Sequence, residues 1–330
     1  MPESDLIQQL EQAVDAMLRG AAPAPAGPEV TALLRAASSV RALPDRDFRK
    51  ELKARLMNQA SKEKEKMAAT TTPVKWIPKG FHTLTPYLHA PAEAKLLDFL
   101  RDAFGAKEAF RVPTETGTIM HAQTQIGDSI IEMAEVPDGF VGPRGTALWY
   151  FVENVDETYR RAVAAGAASL HEPVDQNYGA REAGVKDPAG NYWFITRLIG
   201  ADYKGPGMHD VVYYLIPRGA AAYIDFLRNA FGAEVVERHE DPAGSVRHAK
   251  VRIGDSILGM GEAHDQWQPM PAAIHHYVPN VDEAYERALA AGATSLAAPE
   301  DKEYGARYAG VVDSQGNYWY LTTQFRDFQP

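Results

Sequence analysis

Ten histidines, 44 Asp and Glu and no cysteine bound the chemistry open to this chain of 330 residues. Without a thiol there is no disulfide framework, thiolate metal site, iron–sulfur cluster or catalytic cysteine. What remains is imidazole and carboxylate chemistry, in which a histidine of near-neutral pKa beside a carboxylate moves protons. Several polar residues recur at fixed spacing. His82 and His209 lie 127 residues apart, as do His121 and His248, and two YGAR strings place Arg181 and Arg307 126 apart. Recurrence in both halves points to a fold role. The two arginines are read as pinning a loop, although Arg also suits bidentate carboxylate binding.

The elements that position these residues come in an internal repeat. KLLDFLRDAFGAKE (95–108) matches AYIDFLRNAFGAEV (222–235), and HAQTQIGDSIIEMAE (121–135) matches HAKVRIGDSILGMGE (248–262). NVDETYRRAVAAGAASL (154–170) matches NVDEAYERALAAGATSL (280–296), and YGAREAGVKDPAGNYWFI (178–195) matches YGARYAGVVDSQGNYWYL (304–321). The body is therefore two homologous domains, 78–200 and 205–328. Each reads as strand, helix and several strands, done twice. Gly105 and Gly232 follow the first helices in the place that favours a left-handed residue. Gly127-Asp128 and Gly254-Asp255 mark tight turns. Asn154 and Asn280 are N-caps of the second helices, with Glu157 and Glu283 at N3.

Residues 1–67 read as a small helical segment rich in Ala, Leu, Glu, Arg and Lys, interrupted by AAPAPAGP, with 68–77 as linker. Residues 1–75 carry 12 Lys and Arg against 10 Asp and Glu, and the remainder 22 against 34. The formal net charge of −10 argues against nucleic-acid binding. No apolar run is long enough for a membrane span, and MPESDLIQQLEQ lacks the character of a signal peptide, so a cytoplasmic protein is expected.

The strings TPYL, DFLRDAFGA, HAQTQIGDS and DPAGNYW resemble the vicinal-oxygen-chelate superfamily of glyoxalases, bleomycin-resistance proteins and dioxygenases, in its bacterial PhnB-like branch. The resemblance covers about 250 residues and implies an α+β fold: four βαβββ modules forming two glyoxalase-like half-barrel cups. In metal-dependent members, His and Glu at four strand positions hold a divalent ion. Those positions carry Thr85, Glu132, Ala147 and Phe194 in the first domain and Val212, Gly259, Ala273 and Tyr320 in the second. Only Glu132 is a good ligand, and a catalytic site needs about three. No cofactor is therefore expected, with a divalent metal the alternative.

Side chains two apart on a strand share a face. Tyr87 thus joins Thr85, Trp149 joins Ala147, Tyr214 joins Val212, and His275 joins Ala273. If modules pair across the domains, as in many superfamily members, Thr85, Tyr87, Glu132, His275 and Tyr320 line one cup. Val212, Tyr214, Gly259, Ala147, Trp149 and Phe194 then line the other. The first cup would be polar, with Glu132 and His275 as an acid–base pair; pairing within domains would part them. The second would be aromatic and apolar, with Gly259 and Gly261 opening volume or letting a ligand approach the backbone. Trp193 and Trp319 alternate away from the cups.

The expected function is metal-free binding of a small molecule, flat and aromatic or cationic, for sequestration or sensing. One alternative is a lyase, isomerase or dioxygenase-type enzyme using Glu132 and His275. Another is a regulatory adaptor, in which residues 1–67 meet a protein partner; PDRDFRKELKARLM resembles the N-terminal helices of bacterial anti-sigma proteins. Four modules already supply two cups, so a monomer is expected.

Overall fold

The computed structural model describes residues 76–325 apart from 92, 116 and 201; the N-terminal helical segment and most of its linker lie outside them. The first module comprises β1 (Leu84–Ala90), α1 (Glu93–Phe104), β2 (Lys107–Pro113), β3 (Ile119–Ile126) and β4 (Ser129–Glu135). The second comprises β5 (Ala147–Phe151), α2 (Val155–Ala164), β6 (Ala168–Gln176), β7 (Ala180–Lys186) and β8 (Tyr192–Leu198). The third runs through β9 (Val211–Leu215), α3 (Ala220–Phe231), β10 (Glu234–Glu240), β11 (Val246–Ile253) and β12 (Ser256–Met260). The fourth contains β13 (Ala273–Tyr277), α4 (Val281–Ala290), β14 (Thr294–Lys302), β15 (Ala306–Val312) and β16 (Tyr318–Gln324). No helix among the described residues is long and apolar enough to cross a membrane.

The modules pair across the repeat. One eight-stranded sheet has the order β14-β15-β16-β13-β1-β4-β3-β2, and the other β10-β11-β12-β9-β5-β8-β7-β6. The first and fourth modules thus build one cup, and the second and third the other. The sequence repeats at 78–200 and 205–328 are not themselves the half-barrels: each contributes one module to each.

The helices join what the strands divide. The small and branched residues of each helix face inward: Leu96, Leu100 and Ala103 of α1 are buried, as are Ala220, Ile224 and Leu227 of α3. α1 packs on α2 and α3 on α4, within each repeat. Trp193 and Trp319, both fully buried, pack against Phe104 of α1 and Phe231 of α3, with ring centroids 4.8 and 4.3 Å apart. They face away from the cups, as alternation requires. Their indole N–H groups donate to Asp187 and Asp313 at 2.9 Å. Each of these aspartates also accepts from the following Asn, which fixes the D-x-x-G-N turn ahead of the last strand of the repeat.

Local signals are realised at the expected places. Asn154 and Asn280 cap α2 and α4 by accepting from the Glu157 and Glu283 amides. Gly105 and Gly232 adopt φ of 69° and 68°, which a β-carbon would disfavour. Arg181 forks onto Asp156, both contacts at 2.7 Å, and Arg307 onto Asp282, so the two YGAR arginines pin a strand to a helix start rather than a loop.

Candidate functional site: two unequal cups

Register brings the first-cup residues together. Thr85 lies opposite His275, and Tyr87 lies beside Glu132 and opposite Ala273. His275 in turn neighbours Tyr320. The Glu132 carboxyl is 3% exposed. His275 Nδ1–H donates to Glu132 Oε2. The other ring nitrogen meets Thr322 Oγ1 at 2.7 Å. Glu132 Oε1 accepts from Gln123 at 3.4 Å and lies 3.6 Å from His121 Nε2. Burial works against ionisation of Glu132, but His275, His121 and Gln123 outweigh it and hold the carboxyl below the usual range. Burial pushes the His121 pKa down.

Rings line the rest of this cup. His89 Nδ1–H donates to Pro143 O at 2.9 Å, so Nε2 accepts the Tyr320 hydroxyl at 3.1 Å. Phe140, from the segment joining the first and second modules, stands edge-on to His89 with centroids 4.8 Å apart.

The second cup is open. It holds a cavity of about 640 Å³. Trp149 lies opposite Val212 and beside Phe194, and Gly259 beside Tyr214. Trp149, Phe194, Tyr214 and Gly261 line the cavity. Val212 and Gly259 do not. The space above Gly259 is taken rather than open: a Cβ there would stand 2.8 Å from the Trp149 ring and 3.0 Å from Tyr214. Gly259 therefore seats Trp149, which corrects the expectation that it opens volume. Trp267, 127 residues after Phe140, packs on Phe194 at 5.4 Å and closes one side. Apolar residues of this cup form a cluster separate from the main core.

This cup is aromatic as expected but not apolar throughout. Glu182 lies on its wall, 8% exposed, and accepts from the Thr196 hydroxyl at 3.1 Å. Burial pushes its pKa up. His248 also lines the cavity, and burial beside Lys250 lowers it to about 4, so the imidazole is neutral. Sequence reasoning missed Glu182 because the superfamily's ligand positions do not include β7. A signal was present: YGAREAGV and YGARYAGV differ only at Glu182 and Tyr308.

The donors do not suit the divalent ion that the resemblance implies. At the four positions the second cup offers Val212, Gly259, Ala147 and Phe194, all carbon. The first offers Glu132 beside Ala273, with the Thr85 hydroxyl turned to His82 O and that of Tyr320 to His89. Among the described residues, only His82, Asp128 and His209 bring three such donors within 4.8 Å of one another. They lie in neither cup. The two imidazoles stack with centroids 3.3 Å apart, and each donates from Nε2 to a turn carbonyl, Asp128 O at 3.0 Å and Asp255 O at 3.1 Å. Lys204 already holds Asp128 at 2.7 Å. This group clasps the β3–β4 and β11–β12 turns, the fold role that its recurrence suggested.

Comparison with known proteins agrees with the architecture. The model of the glyoxalase/bleomycin resistance protein/dioxygenase superfamily matches residues 91–195 and 211–321. An uncharacterized protein of Mycobacterium bovis is 34% identical over 125 residues, covering 34% of this chain and 82% of that protein. One from Mycobacterium tuberculosis has the same identity over 74% of its length. Glyoxalase I from Zea mays superposes with a TM-score of 0.54 at 15% identity, covering 73% of this chain and 92% of that one, a likeness of fold. Two tandem matches, four βαβββ modules and two crossed cups make this chain a member of the glyoxalase/bleomycin resistance protein/dioxygenase superfamily.

Proposed function

We propose that the protein binds a small organic molecule in its second cup and that the binding needs no metal. The observation that carries this reading is the cavity of about 640 Å³ walled by Trp149, Phe194, Tyr214 and Trp267. Its volume suits a drug-sized ligand, and its rings suit a flat one. With carbon at all four ligand positions, this cup is built to hold a molecule rather than to polarise it. That suits sequestration or sensing.

The test is a thermal-shift screen of fused-ring aromatic compounds, with and without EDTA. A ligand that binds only the native state at a hundred times its Kd adds about 2.7 kcal/mol of stability. The expected result is a raised Tm that EDTA leaves unchanged and that Trp267→Ala diminishes. A panel without any stabilising compound, or a shift abolished by EDTA, sinks the proposal.

A second reading rests on the first cup. The contact between His275 Nδ1 and Glu132 favours proton-transfer chemistry of the lyase or isomerase kind. Glu132 would hold the tautomer whose Nε2, in contact with the Thr322 hydroxyl, takes up a proton through it. If this cup turns over an enolisable ketone, Glu132→Gln and His275→Gln should each lower the rate by about 10²–10⁴. Turnover unaltered in both variants would refute it.

A further inference from the structure

We propose that the second cup selects a planar organic cation, with Glu182 as the group that meets its charge. This rests on the reading of that cup as the ligand seat and names the class of ligand.

Glu182 is buried, its side chain 11% exposed, yet it borders the cavity. The Thr196 hydroxyl donates to it at 3.1 Å, and the uncharged Tyr178 hydroxyl and Trp149 indole also favour its charged form. His171 Nε2, 3.8 Å from Oε1, lies at ion-pair distance but beyond hydrogen-bond reach. The other carboxylates of the lining are matched. Glu237 holds Lys250 and His239, both at 2.7 Å. Glu262 takes the Gly219 and Ala220 amides at the start of α3, both at 2.7 Å. Glu182 alone among them has neither a Lys or Arg partner nor helix amides. A buried carboxylate left in that position is costly, and a ligand cation removes the cost.

The aromatic walls favour the same charge. Trp149 and Tyr214 stand 4.7 Å apart between centroids, and Tyr214 and Phe194 5.6 Å apart. Ring faces attract cations, more strongly when water is excluded. Lys250 already uses this attraction, with its ammonium 5.9 Å from the Trp149 ring centre.

The contrast with the first cup completes the argument. Where the first cup has Glu132, the second has Gly259; where the second has Glu182, the first has Tyr308. Each cup therefore carries a buried carboxylate on a different strand. In the first, the protein answers it with His275. In the second, His171 stands off at 3.8 Å without a hydrogen bond, and a hydrogen-bonded cationic partner is left to the occupant.

The experiment uses the full chain at pH 8 and three flat three-ring probes: N-methylacridinium, neutral acridine and anthracene-9-carboxylate. Binding is read from probe fluorescence anisotropy. The cation should bind at least about tenfold more tightly than acridine, and the anion most weakly. Glu182→Gln should erase the cation's advantage while leaving acridine within about twofold. Glu182→Tyr, the residue carried at the equivalent place in the first cup, should do the same, which guards against one variant failing to fold. Trp267→Ala should weaken all three probes. If the cation shows no advantage in the wild type, or keeps it in both Glu182 variants while Trp267→Ala still weakens every probe, the charge assignment is overturned and the seat stands. If none of the three binds saturably, the seat is overturned with it.

Discussion

Glu132→Ala should destabilise the folded protein by about 3–5 kcal/mol, a larger loss than any surface change would bring. The reason is asymmetric. Removing Glu132 deletes a buried anion, but it also strands His275, whose Nδ1–H loses its acceptor, and frees Gln123 from its contact. The double replacement Glu132→Leu with His275→Phe should recover most of that loss, because no buried charge is left without a partner. Chemical denaturation measures both. Equal losses in the single and double variants would show that packing, not the pair, carries the stability. The depressed Glu132 pKa adds a pH signature. A carboxyl whose folded pKa lies below its unfolded one contributes stability that is present above the unfolded value and fades as pH falls through the folded one. The gap between wild type and Glu132→Ala should therefore narrow in acid.

The second large effect lies on β13, on the face opposite His275. His276 is buried among Phe231 and Trp319, and its Nδ1 finds no partner. Burial, with His275 and Arg287 nearby, lowers its pKa to about 3. An unfolded histidine takes a proton near pH 6.5. Stability from keeping this ring neutral is complete above that pH and drains away below it, by on the order of 1 kcal/mol per pH unit until the folded pKa is reached. His89, His121 and His248 are also depressed by burial and act in the same direction. His276→Phe should therefore flatten, without abolishing, the fall in Tm between pH 6.5 and 5, and should remove an orphaned nitrogen. An unchanged acid slope would place the sensitivity elsewhere.

Much of the architecture was legible because the repeat is long and carries its own punctuation. Gly105 and Gly232, Asn154 and Asn280, and the two GNYW strings each mark the same structural event twice. The choice between pairing within and across domains was not legible. A strand's alternation shows which residues share a face, but not which distant strand lies beside it. Once β13 is set against β1, Glu132 and His275 meet, as the crossed arrangement requires. Glu182 escaped notice for a different reason. It stands one residue from Arg181 in a string whose arginine drew the reading, on a strand with no place in the superfamily's metal-ligand pattern. Only the substitution of Tyr308 by repeat marks it. Gly259 is the reverse case: the missing side chain suggests space in the sequence, and the Trp149 ring fills it.

The crossed sheets also set an order of events at the ribosome. Trp149 waits for Val212, 63 residues downstream, whereas Thr85 waits for His275, 190 downstream. Closing the longer loop costs about 1 kcal/mol more in chain entropy, a small difference in energy. In time it is larger, since domains fold as their segments emerge at about 5–20 residues per second. The second cup holds all of its strands once Met260 is made. The edge of β1 stays bare until the final module arrives, in a strand whose side chains are nearly all destined for burial. A nascent chain cut short between the third and fourth modules would thus carry every strand of the second cup beside an unpaired apolar edge, the form most apt to find another chain instead of its own.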